Sequence, residues 1–149
     1  MDSKVFKVSW ILLVVVGCFG IIIGLMALFA PNVFVVNEFQ LLTGHQWSDF
    51  KAANPQVSSY ISIMLFEIGF FALAVGISIL FITLFAYRKG EKWAWYLLLI
   101  IITLVFGGAI RANIYIGDMA LVMICIVFLV IAYIGLAIGA KPILKGSSS

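Results

Sequence analysis

The chain has 149 residues, of which 65% are hydrophobic and 10% charged, with a mean hydropathy of +1.26. A water-soluble domain of this length has too high a surface-to-volume ratio to hide that much apolar surface, so the sequence excludes an ordinary soluble globule and calls for a bilayer as its solvent. The net charge of +3 comes from residues at the ends of apolar runs and forms no basic stripe for a phosphate backbone, which speaks against a nucleic-acid partner.

The first apolar run covers about 8–30 and stops at Pro31. Within it, Val15-Val16-Gly17-Cys18 has the look of a lipoprotein cleavage box preceded by Lys4 and Lys7. The residues after Cys18, Phe19-Gly20-Ile21-Ile22-Ile23, stay apolar where a lipoprotein turns polar, so the run reads as a spanning helix. Cys18 and Cys125 lie in separate runs with no second Cys and no His beside either, and read as small buried apolar residues.

A segment from 31 to about 58 follows, too long for a turn. It carries Val33, Phe34, Val35, Val36, Phe39, Leu41, Leu42, Trp47 and Phe50, and should fold back on the helix ends or lie in the interface. Ser48 is placed to cap a short helix reaching about Ala53. Asn54-Pro55 then signals the start of the next helix.

Three more apolar runs cover about 59–87, 93–116 and 119–140, each longer than the roughly 20 residues a helix needs to cross the hydrocarbon core. The short turn Tyr87-Arg88-Lys89-Gly90-Glu91-Lys92 predicts that the second and third helices are neighbours, and Gly117-Asp118 forces the third and fourth to run antiparallel side by side. Seven of the nine basic residues fall at the termini and in the 87–92 turn, leaving Lys51 and Arg111 toward the other side. By the positive-inside rule both termini are cytoplasmic in a cell-membrane protein. Trp10, Trp93, Trp95 and Tyr96 mark the inner boundary, and Trp47, Tyr60 and Tyr115 the outer one. The expected architecture is all-α: one four-helix transmembrane bundle over 1–145, left-handed, with the long apolar segment outside and a flexible tail at 146–149. Gly20 and Gly24, Gly135 and Gly139, Gly69 and Gly76, and Gly107-Gly108 offer close helix approach, within the chain or between chains.

Two charges inside the apolar runs are the candidate site. Glu67 lies about eight residues inside the second run, roughly 10–12 Å deep, and Arg111 about six residues inside the third, roughly 9 Å deep. Each is costly alone in hydrocarbon, so the two are expected to meet, as a structural ion pair or as a ligand site. Tyr115 and Asp118 continue the Arg111 face and are accessory candidates, as is His45 in the outer segment. One His beside Asp49 and Glu38 makes no metal site, and no nucleophile–base pair, CxxC, HExxH or phosphate loop is present, so no cofactor and no catalytic residue is expected. Three functions fit this reading. A non-enzymatic accessory or interaction subunit comes first, partnered by the bilayer and by other membrane subunits or a homo-oligomer. A small carrier or hydrophobic-ligand binder using Glu67 and Arg111 comes second, and an enzyme on a lipid-soluble substrate third.

The turn Arg88-Lys89-Gly90-Glu91-Lys92 leading into Trp93-Ala94-Trp95, and the segment from Thr43-Gly44 through Asn54-Pro55, resemble those of small four-span membrane proteins of bacteria and archaea with no assigned activity. The resemblance implies four helices and nothing about chemistry. Better-known four-span families fit poorly. Vitamin K epoxide reductase-like proteins carry a redox Cys pair, claudin-like proteins a Cys pair in the first outer loop, and small multidrug exporters an essential Glu in the first helix; this chain has none of these.

Overall fold

The computed structural model describes residues 4–145. The described chain is all-α, with helices α1 (Lys4–Phe29), α2 (Asn32–Thr43), α3 (Trp47–Ala53), α4 (Pro55–Phe85), α5 (Lys92–Ile116) and α6 (Met119–Ala140), the last continuing into a wider turn over Lys141–Lys145. Four of these helices are long and apolar enough to cross a membrane. The tail at 146–149 lies outside the described residues.

The helix ends follow local chemistry. Pro31 cannot supply the N–H that would continue α1 and instead opens α2, its carbonyl accepting from Val35 N at 3.0 Å. Pro55 occupies the first turn of α4, where its missing N–H costs nothing. Gly90 (φ 86°) and Gly117 (φ 89°) take the left-handed conformation that closes a helix end and that other residues adopt only with strain. Asp118 then caps α6, its Oδ1 accepting from Leu121 N at 3.0 Å.

Small residues decide which helices meet. α1 lies antiparallel to α4 along a seam where backbone touches backbone. A Cβ on Gly20 would stand 3.1 Å from Gly76 Cα, one on Gly24 2.5 Å from Leu73 N, and one on Gly76 2.6 Å from Ile21 N. α1 also packs on α6 through Gly135 and Gly139, and α6 packs on α5, while α4 and α5 touch only slightly. The expectation that the second and third spans are close neighbours is therefore corrected. The turn between α4 and α5 is long enough, with its 3-10 segment Tyr87–Lys89, to let α4 follow the glycine seam of α1 instead. Phe19 of α1 fills the centre, stacked on Phe128 of α6 at 3.7 Å and on Phe106 of α5 at 6.3 Å between centroids.

The two ends of the helix group differ. The basic end gathers Lys4, Lys7, Arg88, Lys89, Lys92 and Lys141, with the Arg88 guanidinium 5.0 Å from the Trp10 ring centroid. Behind it lies a dry polar knot. Ser9 Oγ donates to Gly135 O at 2.7 Å and lies 2.6 Å from Tyr87 Oη, and both side chains are fully buried. The opposite end is capped by α2 and α3. Phe39, Trp47 and Phe50 form one aromatic cluster with centroids 4.7–5.8 Å apart. Trp47 is buried and Phe50 more than half buried, as the apolar content of the segment predicts. Ser48 does not cap α3. Gln46 holds that position without a side-chain bond, and Ser48 Oγ donates to Asp49 Oδ1.

Candidate functional site

Glu67 sits on α4 on the face turned away from the glycine seam, with Tyr60 and Phe71, and it is exposed. Its height can be read from the packing. Gly69 lies against Ala27 and Leu28, close to the end of α1 at Phe29, so Glu67 is level with the Ala30–Pro31 break. α4 begins at Pro55 and rises well past α1, propping α3. Glu67 thus lies level with the end of α1, below the segment that carries α2 and α3.

Arg111 is exposed too. The buried face of α5 carries Ala94, Leu98, Ile102 and Phe106, and Arg111 falls opposite, with Ile100, Leu104 and Tyr115. Phe106 is level with Phe19, and five further residues place Arg111 roughly 9 Å nearer the basic end than Glu67, by the helical rise. Among the described residues no salt bridge joins Glu67 to Arg111. Both side chains point out of the helix group, each on the back of its own helix. The reason is the seam: glycines on α4 turn toward α1, which swings Glu67 outward, and the row of buried residues on α5 does the same to Arg111.

Gly107 and Gly108 lie one turn from Arg111 and are also exposed. A Cβ on either would meet nothing within 4 Å. The chain's other glycines inside α1, α4 and α6 all have a neighbour within about van der Waals contact.

The accessory candidates separate. Tyr115 is 83% exposed on the Arg111 side of α5. Asp118 turns inward and is buried, where Asn37 Nδ2 of α2 donates to its Oδ2 at 2.9 Å while the backbone of α6 takes its other oxygen. This bond pins the cap to the α5–α6 turn. Glu38, the next residue of α2, is raised from its ordinary value by burial, and the nearby Asp118 charge adds to the shift. His45 is exposed beside the Gly44 turn, and among the described residues no group of His, Cys, Asp and Glu could hold a metal ion. Cys18 and Cys125 are both free thiols; Cys18 is exposed on α1, correcting the buried reading for it, and Cys125 is buried.

Sequence reasoning missed the Ser9–Tyr87–Gly135 knot and the Asn37–Asp118 bond. The first had a signal: Ser9 is a hydroxyl in the opening turns of an apolar run, where it needs a partner. The second had none beyond the Gly117-Asp118 turn itself.

Comparison with protein-family models, with curated proteins and with solved structures finds no match to this chain.

Proposed function

We propose that the chain is a four-span protein of the cell membrane, with its basic end cytoplasmic, that acts as a non-enzymatic accessory or interaction subunit. The basic-end charges support the orientation. The observation that carries the function is the back of α5: Gly107 and Gly108 stand open while the glycines of α1, α4 and α6 are packed. Small residues are favoured where helix backbones meet in lipid, so an unfilled pair beside Arg111, which has no partner among the described residues, reads as a surface for another membrane-embedded chain. The core supports this over a carrier or enzyme. Leu13, Val16, Leu98, Ile102 and Ala132 are fully buried, and neither Glu67 nor Arg111 faces inward.

A photo-cross-linking residue at Leu104, which is 70% exposed on this face, tests the reading in intact membranes. Adducts to protein are expected. Adducts to lipid alone refute it.

A further inference from the structure

The fold draws cations from three stretches of chain to one end: Lys4 and Lys7 from the start of α1, Arg88, Lys89 and Lys92 from the turn between α4 and α5, and Lys141 from the end of α6. All of them are exposed. Among the described residues the one acid at this end is Glu91, also exposed, and no salt bridge holds any of these cations. Like charges gathered without acids repel one another, so this end favours an anion from outside the chain.

The charges converge on one aromatic residue. Lys4, Lys7 and Trp10 follow one another at spacings of three on α1, which makes them neighbours along one ridge of the helix. Arg88 reaches this ridge from the α4–α5 turn, its guanidinium 5.0 Å from the centroid of the Trp10 ring. The contact is anchored from behind. Ser9 and Tyr87, the residues next to Trp10 and Arg88, meet at 2.6 Å, and Phe6 stacks on Tyr87 with ring centroids 5.8 Å apart. Arg88 is thus positioned by the fold, while its guanidinium makes no hydrogen bond among the described residues. A contact with a ring leaves the N–H donors unused, and their planar fork matches a phosphate group with two bonds at once. Lys7 adds a second charge one turn away, its side chain leaning toward the start of α1 and so toward the same end.

The level of this cluster names the anion. Trp and Tyr mark the boundary where lipid headgroups lie, and Trp10, Trp93 and Tyr96 stand at this end of the spans. One to two turns further in, Ile11 and Val15 on α1 and Phe81 and Phe85 on α4 are exposed and give acyl chains an apolar surface to lie on. We infer that Lys7 and Arg88, set about Trp10, bind the phosphate headgroup of an anionic phospholipid, with the field of Lys4 and Lys89 behind them. The inference stands apart from the interaction reading above and holds whichever way the chain is oriented.

Native mass spectrometry of the full-length protein in a non-ionic detergent tests it, by counting adducts as phosphatidylglycerol, phosphatidylcholine or inorganic phosphate is added. The wild type should bind phosphatidylglycerol more tightly than phosphatidylcholine and should retain no inorganic phosphate. Lys7→Gln with Arg88→Gln should lower the preference for phosphatidylglycerol roughly fivefold for each charge removed. Lys92→Gln with Lys141→Gln removes the same charge from the same end and should lower it less. Both pairs are exposed, so neither double variant opens the packed core. An equal fall in the two double variants overturns the site and leaves only a diffuse field. A wild type without preference overturns it as well, and retention of inorganic phosphate overturns the choice of a lipid.

Discussion

Adding one methyl group to Gly76 should separate α1 from α4, while the same change at Gly107 should leave the fold intact. A Cβ on Gly76 would lie 2.6 Å from Ile21 N, 2.8 Å from the Gly20 carbonyl carbon and 3.0 Å from Gly17 O, all of them backbone that no rotamer change can move. Ordinary carbon contacts need about 3.5–4.0 Å, so the helices must part by roughly 1 Å, and a gap of that size forfeits a quarter to a half of the dispersion energy of each contact along the seam. Overpacking of this kind costs about 1–3 kcal/mol. Alanine is also the better helix former by about 1 kcal/mol, but that gain applies at both positions and cancels in the comparison. Gly107→Ala meets nothing within 4 Å and keeps the gain. The two variants should therefore differ in stability by about 1–3 kcal/mol, with Gly76→Ala the weaker. Reversible unfolding in mixed micelles, at one copy per micelle so that contacts between copies do not contribute, measures the difference. Equal stabilities within about 0.5 kcal/mol would refute the backbone-contact account of the seam.

Three further outcomes are expected. Because burial and Asp118 raise the Glu38 carboxyl above its ordinary value, the folded cap holds that proton more tightly than the unfolded segment does. Cap stability should rise as pH falls from neutrality through the raised value and level off below the ordinary range, and Glu38→Gln should remove this slope; Trp47 fluorescence against pH reads it, and an unchanged slope in the variant contradicts the assignment. In the dry knot, Ser9→Ala and Tyr87→Phe should each destabilise by about 1 kcal/mol and couple by about 0.5–1.5 kcal/mol in a double-mutant cycle, since the hydroxyls lie 2.6 Å apart; additive losses would show that the bond contributes nothing. With Cys18 and Cys125 replaced, a single cysteine at position 89 should resist an impermeant reagent in intact cells while one at position 48 reacts, and the reverse pattern would invert the topology.

The four long helices were legible because a bilayer of fixed thickness imposes a length that apolar runs either meet or miss. Their stops were legible for local reasons: Pro31 lacks an N–H, and Gly90 and Gly117 adopt backbone angles that other residues avoid. The content of the segment between the first two spans was half legible. Its apolar residues announced burial, and Trp47 is buried accordingly. That residues 32–43 are helical did not show, because Val33 and Val36 are exposed while Val35 is buried, so no clean amphipathic stripe marks the helix. Its shape depends on the Phe39–Trp47–Phe50 cluster, which forms only once the Gly44 turn folds α3 back on α2, and on the bond from Asn37 to Asp118, a contact distant in sequence.

Helix partnership was the part sequence could not supply, and the candidate site turned on it. A short turn between two spans predicts that they are neighbours, and from that step follows the expectation that Glu67 and Arg111 meet inside the chain. The glycines at 20, 24, 69 and 76 were visible, but a small residue states only that something can come close, not what does. In the fold α1 claims the glycine face of α4, and everything on the back of α4 is turned outward, Glu67 with it. The same reasoning applied to α5 runs the other way. Its glycines are the pair that no described element claims, and its buried face is made of Ala94, Leu98, Ile102 and Phe106. A chain that packs glycine closely along α1, α4 and α6, yet leaves Gly107 and Gly108 open next to a charge within an apolar helix, has a surface that none of its described helices fills.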